Sequence, residues 1–256
     1  MIDPRAIVAP DAEIAEGVQI GAFSVIGAGV RIGAGTWVGP HAVINGPTTL
    51  GRDNKVFQFA SVGDAPQDKK YQGEPTRLEV GDRNVFREFC SINRGTVGGR
   101  AVTRIGSDCL FMAYSHVAHD CIVGDNCILS NCTALAGHVE LGDWVILSGY
   151  AGIHQFCKVG AHAFLANNAA VTRDVPPYLL VAGSPAEPKG VNSEGLKRRG
   201  FDAAQIANIK SAYRLFYRSG LKLAEAQERL AELAATQPEL QPFVEFLGAS
   251  ERSIIR

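Results

Sequence analysis

The chain has 256 residues, with 25 Lys and Arg against 26 Asp and Glu, a formal net charge of −1, and is 46% hydrophobic and 20% charged. Those values exclude a disordered chain and argue against a protein that holds nucleic acid by bulk charge. No apolar run reaches the about 18 residues of a membrane span, and the six cysteines include no CxxC pair of a zinc ribbon or thiol redox site.

The first element is a repeat. Ile2, Val8, Ile14, Ile20, Ile26, Ile32, Val38, Ile44, Leu50, Val56 and Val62 recur every six residues, often followed by Gly, with a small residue at the fifth place of the hexad. The phase returns at Val80, Phe86 and Ile92, and again from Ile105 through Val171. Period six fits neither a helix nor a heptad; it fits a short strand plus a tight turn. Three such faces make a triangular coil of about eighteen residues, coils stack at about 4.8 Å, and Gly, Asn and Asp are expected at the corners. The expected fold is an all-β solenoid plus α: a parallel β-helix over residues 1–190 and a small helical domain over 191–256.

Two stretches break the repeat, near 64–77 (DAPQDKKYQGEPTR) and near 97–104 (VGGRAVTR). Long insertions from a solenoid wall often serve binding. After Pro176-Pro177 the hexads stop. Asp202 is placed to cap a helix reaching Gly220, a second helix is expected over about Leu223–Ala235, and a third near Phe243–Leu247. The opening MIDPRAIVAPDAEIAEG lacks the basic-then-apolar pattern of a secretion signal, so a cytoplasmic protein is expected.

Cys90, Cys109, Cys121, Cys127 and Cys157 occupy the small inward position of their hexads and read as small hydrophobes. Histidines carry the stronger signal. His116, His119, His138 and His154 fall on stacked hexads and are expected to line one edge. A metal is one use of such a cluster, but catalytic zinc needs three convergent ligands, and these offsets aim the rings at different heights. A general base is the other: a neutral imidazole takes a hydroxyl proton at neutral pH. Asp120 follows His119, and in a regular strand it points to the opposite face, so pairing requires a corner conformation.

The segments AYSHVAHDCIVGDNCILSN, PQDKKYQGEPTR, LAGHVELGDW, HQFCKVGAH and VNSEGLKRRGF resemble the UDP-N-acetylglucosamine O-acyltransferases of lipid A biosynthesis, along essentially the whole chain. The resemblance implies a left-handed β-helix, a homotrimer, and transfer of an (R)-3-hydroxyacyl chain from acyl carrier protein to the sugar 3-hydroxyl, without cofactor or metal. It implies His119 as general base, Asp120 as its orienting carboxylate and Gly137 as the oxyanion N–H donor. Asp68, Lys70, His116, His138, His154 and Gln155 match substrate contacts, and Asn192, Glu194, Arg198 and Arg199 match the nucleotide end. Asn167 matches the acyl-length position and implies a medium chain; Pro185, at a second such position, gives no reading. This chain departs from the family's frequent His with Asn93. Three other readings stay open: the N-acyltransferase of the same pathway, which carries an N-terminal domain where this chain's hexads already begin at Ile2; a γ-carbonic-anhydrase-like zinc enzyme; and a non-catalytic β-helix.

Overall fold

A computed structural model describes residues 1–250 and 252–256. The hexads become strands, mostly of two residues, that visit three parallel sheets in rotation. Sheet 1 runs from Ile7–Val8 to Ala170–Val171, sheet 2 from Glu13–Ile14 to Lys158–Val159, and sheet 3 from Gln19–Ile20 to Leu179–Ala182. Each coil lies in register on the last, as in the outward row His116, Ala134, Gly152, Ala170 and the inward row Val117, Leu135, Ile153, Val171. The inward row is at most 3% exposed. Each such aliphatic contributes roughly 1.5–3 kcal/mol on burial, but only when a neighbouring coil covers it, so stability accrues by stacking. The five hexad cysteines are buried in this core and Cys132 is half-buried at a corner.

The corners differ from the expectation in one respect. Left-handed backbone is taken by aromatic residues as well as by Asp and Asn. On the corner from sheet 3 to sheet 1, Phe23, His41, Phe59, Phe89 and Tyr114 all have φ near +60° and stack ring on ring at 4.8–5.5 Å. A bulky side chain is costly in that region. The coil repeat matches the thickness of a stacked ring, so aromatic contact offsets the strain.

The insertions are 65–76 and 94–101. The second is shifted from its expected place because Val102 and Thr103 already pair with Arg77 and Leu78 in sheet 2. Solenoid strands also continue past the last hexad: Leu179–Ala182 pairs with Phe164–Leu165 and then, antiparallel, with Glu187–Val191. This hairpin closes sheet 3.

Helices follow: α1 (Ser193–Arg198), α2 (Ala203–Arg218), α3 (Leu223–Ala234) and α4 (Gln241–Ala249). Asp202 caps α2 in a full capping box with Gln205. Ile206, Ile209 and Phe216 of α2 meet Leu230 of α3 and Phe243 and Leu247 of α4 in a separate core. Tyr178 joins that core and donates to the Glu239 carbonyl at 2.8 Å, pinning the helices to the end of the solenoid. No described helix is long and apolar enough to cross a membrane.

Candidate active site

The corner from sheet 1 to sheet 2 holds Ala118–Cys121, Ala136–Val139 and His154–Cys157 in successive coils. The two insertions leave from this same corner in the two preceding coils. His119, Asp120, Gly137, His138, His154 and Gln155, with Asp68 and Lys70 of the first insertion, therefore share one edge; His116 sits beside it on the outer face of sheet 1.

Asp120 has φ +60°. That turn swings its carboxylate back to the His119 ring, where Oδ2 lies 2.8 Å from Nδ1. The Asp120 side chain is fully buried and that of His119 is 18% exposed. Burial alone raises a carboxyl, but donors from His119, Thr96 and Arg100 outweigh it and hold Asp120 at about 2. The carboxylate is thus ionised and accepts only, so His119 Nδ1 carries a hydrogen, and in the neutral imidazole the lone pair is then on Nε2. This is the tautomer a base requires.

Gly137 lies one coil above. A Cβ built there meets His119 Cε1 at 2.6 Å, and its three nearest heavy atoms all belong to that ring. The imidazole packs face against bare backbone. Among the described residues the Gly137 N–H donates to no protein acceptor, so it is free for an oxyanion. The backbone at Gly137 is outside the left-handed region, so alanine is unstrained there, and the atoms nearest its methyl are those of the ring. We expect Gly137→Ala to push His119 aside and lower kcat on the order of tenfold to a hundredfold, checked by initial rates alongside an unchanged melting curve. A wild-type rate would show that the ring's seat does not matter.

His138 stands edge-on to His119 at 5.2 Å and stacks on Phe156 at 4.3 Å. Burial lowers its pKa despite the pull of Asp120, so it is neutral at pH 7. His116 is likewise lowered by burial, and its Nδ1 is 2.7 Å from Ser91 Oγ. His154 and Gln155 are exposed on the rim. Asp68 turns its own loop by accepting the Lys70 N–H at 3.0 Å. Between His116 and His154, the outward row Ala134, Gly152 and Ala170 leaves an apolar trench of about 440 Å³ beside the His119 corner. Small side chains on three successive coils make that trench.

His119, Asp120 and His138 place ligand atoms within 4.8 Å of one another. A cation there competes with four hydrogen-bond donors already on the carboxylate, including the His119 Nδ1–H itself. The donor set fits an oriented base better than a metal cage.

The remaining predicted residues lie elsewhere. Asn167 is exposed on the corner from sheet 3 to sheet 1. Arg199 sits at the corner from sheet 2 to sheet 3, its guanidinium 5.2 Å from the Trp144 ring and 3.3 Å from His162 Nδ1. Arg198 is exposed beside it on α1, and Glu194 pairs with Lys197 at 2.8 Å. Asn192 caps α1, accepting from Gly195 N–H and donating to the His162 carbonyl. One chain thus divides the predicted site over three corners. Asn93 donates to the Ala65 carbonyl at 2.9 Å and ties the first insertion to the wall, so the departure is a local structural contact.

The sequence reading missed Thr96 and Arg100, whose backbone and hydroxyl donors hold Asp120. It also missed the Trp144 and His162 seat of Arg199. The phase of the insertions within the coil was a readable signal for the first; nothing in the repeat marks the second.

A family model described as UDP N-acetylglucosamine O-acyltransferase, domain 2, matches residues 174–255, and a bacterial transferase hexapeptide model matches 103–137. The chain is 57% identical to the acyl-[acyl-carrier-protein]–UDP-N-acetylglucosamine O-acyltransferase of Thiobacillus denitrificans, covering 100% of this chain and 99% of that protein. It is 55% identical to the enzyme of that name from Stenotrophomonas maltophilia strain R551-3, over 100% and 97%. The crystal structure of Francisella novicida UDP-N-acetylglucosamine acyltransferase superposes with a TM-score of 0.98 at 43% identity, over 100% of this chain and 94% of that one. The solenoid is the left-handed parallel β-helix that the sequence leads one to expect.

Proposed function

Because the chain belongs to the UDP-N-acetylglucosamine O-acyltransferase family, we propose that His119 Nε2 takes the proton of the glucosamine 3-hydroxyl in UDP-N-acetylglucosamine as that oxygen attacks the thioester of an (R)-3-hydroxyacyl chain on acyl carrier protein. The protein is an O-acyltransferase of lipid A biosynthesis, and we place its reaction as the first step of that pathway. The observation that supports the chemistry is the dyad: a buried, ionised Asp120 that takes the His119 Nδ1–H and turns Nε2 toward a solvent-facing corner.

A C–O ester bond forms and the C–S bond breaks. The carrier's sulfur leaves, and the imidazolium returns its proton to that sulfur. The Gly137 N–H receives the transient oxyanion, a donor worth on the order of 3 kcal/mol in comparable sites. No nucleophilic Ser or Cys is required, and the cysteines are spent on packing. The apolar trench beside His116 is a bed for the acyl chain or its carrier arm. Asp68, Lys70, His116, His138, His154 and Gln155 line the sugar and acyl approach.

A complete site requires more than one copy. Arg198 and Arg199, suited to a diphosphate by charge and planar geometry, face away from His119 within one chain, and so does Asn167. Juxtaposing corners of adjacent copies around a three-fold axis supplies the missing parts, and we propose a homotrimer working in the cytoplasm. In that assembly Asn192, Glu194, Arg198 and Arg199 serve the nucleotide end, and Asn167 bounds the acyl tunnel at medium length.

The test is a mass-spectrometric assay of purified protein with UDP-N-acetylglucosamine and a panel of 3-hydroxyacyl carrier proteins. We expect O-acylated sugar nucleotide with one medium chain preferred and free carrier thiol released in equal amount. Absence of product with every donor, or stoichiometric bound zinc with carbon dioxide hydration, would replace this reading by the metalloenzyme.

A further inference from the structure

We infer that Thr96, on the second insertion, is a positioning residue that decides which histidine the Asp120 carboxylate serves. The inference rests on His119 being the base. Asp120 Oδ2 receives the Thr96 hydroxyl at 2.6 Å and the His119 Nδ1–H at 2.8 Å. The same oxygen lies only 3.8 Å from His138 Nε2. Two imidazoles therefore compete for one oxygen, and a carboxylate free to turn about its Cβ–Cγ bond reaches either.

The insertion removes that freedom. The Thr96 N–H reaches both carboxylate oxygens at 3.1–3.2 Å, and the Arg100 N–H holds Oδ1 at 2.8 Å. The loop is a closed unit: the Thr96 carbonyl accepts from the Gly99 and Ala101 N–H groups at 3.1 and 2.9 Å. Gly99 lies against the dyad so closely that a Cβ there meets Asp120 Cγ and His138 Cε1 at 2.5 Å. Arg100 donates from its guanidinium to the Asp120 carbonyl at 3.0 Å and pairs with Glu140 in a later coil, which fastens the loop from outside.

The two backbone donors survive any side-chain change and keep the carboxylate in its seat, but only the Thr96 N–H reaches Oδ2, and it is shared with Oδ1. The hydroxyl is the one side-chain donor in the insertion aimed at Oδ2, and at 2.6 Å it makes the shortest of the hydrogen bonds that oxygen accepts. Because Asp120 is ionised, the hydroxyl donates to it, and its direction is set. Thr96 is itself buried, at 8% exposure, so no exposed water site substitutes for it directly. With the hydroxyl gone, Oδ2 loses the partner that opposes the swing toward His138, and His119 loses the hydrogen bond that sets its tautomer.

The experiment compares Thr96→Val, which keeps shape and removes the donor, with Thr96→Ser, which restores it. Full-length trimer is used, with steady-state rates and histidine-selective nitrogen NMR. We expect Thr96→Val to lower kcat on the order of tenfold to a hundredfold, with KM for both substrates within about twofold. The His119 Nδ1–H resonance, shifted downfield by the carboxylate, moves or broadens in the Val variant and returns in the Ser variant. A Val variant with wild-type kcat and resonance overturns the inference. So does a rate loss that Ser fails to rescue while the resonance stays put, since that marks a loop-folding role. His119→Ala, run in parallel, separates the two readings: if it keeps wild-type rates, the base assignment fails on its own, whatever the Thr96 variants show.

Discussion

His119→Ala loses acyl transfer by a factor on the order of 10²–10⁴, the usual contribution of a positioned base, and keeps its fold. The structure separates the two effects. The ring sits outside the core, with its side chain 18% exposed, while the hexad residues that flank it, Val117 and Leu135, are fully buried and untouched. Asp120 loses one donor and retains those of Thr96 and Arg100. The stability cost is therefore about 1.5–3 kcal/mol, that of one hydrogen bond to a charged group. Initial rates with saturating donor and a thermal melt of the same sample make the check. A variant with near-normal rates would remove His119 from the mechanism. A variant that is inactive and also unfolded would show that the corner, and not the chemistry, had been lost.

The second large effect concerns the division of the site among copies. Arg198→Glu places a carboxylate where the diphosphate is expected and so abolishes activity in a uniform trimer, as His119→Ala does. The two lesions lie on different corners of one chain. If each site takes His119 from one copy and Arg198 from its neighbour, co-expression recovers activity, with about a quarter of all sites intact on random mixing and about one in three in each mixed trimer. Recovery measured on tagged, mixed trimers, with each parent inactive, is the expected result. No recovery in trimers proven to be mixed places both residues in the site of one chain and overturns the shared arrangement.

Particular residues show how far local reasoning reaches. The five hexad cysteines were placed inside by phase alone, and the structure buries them. The condition on Asp120, that it must sit at a corner to meet His119, follows from strand alternation, and φ of +60° satisfies it. The α2 cap at Asp202 was legible because a capping box is a four-residue signal. Phe23, Phe59 and Phe89 in left-handed backbone were not legible, because a single aromatic there is strained. Only the ring on the next coil makes the conformation tolerable. The hairpin of Leu179–Ala182 with Glu187–Val191 was hidden for a similar reason: it takes its register from the coil beneath.

By itself the sequence settles the repeat, the triangular coil, the inward aliphatic rows and the histidine edge, because a six-residue period is a local property that each coil states anew. Tertiary structure decides which groups complete the chemistry. Thr96 reaches Asp120 across 24 residues of chain, and Arg199 finds Trp144 and His162 only after the helices fold back over the solenoid's end. Those contacts depend on the direction in which insertions and helices leave the wall, and no period in the sequence encodes a direction. The spread of the proposed site residues over three corners has the same origin: coil phase puts a residue on a corner, and whether that corner meets another chain is a matter of how prisms pack.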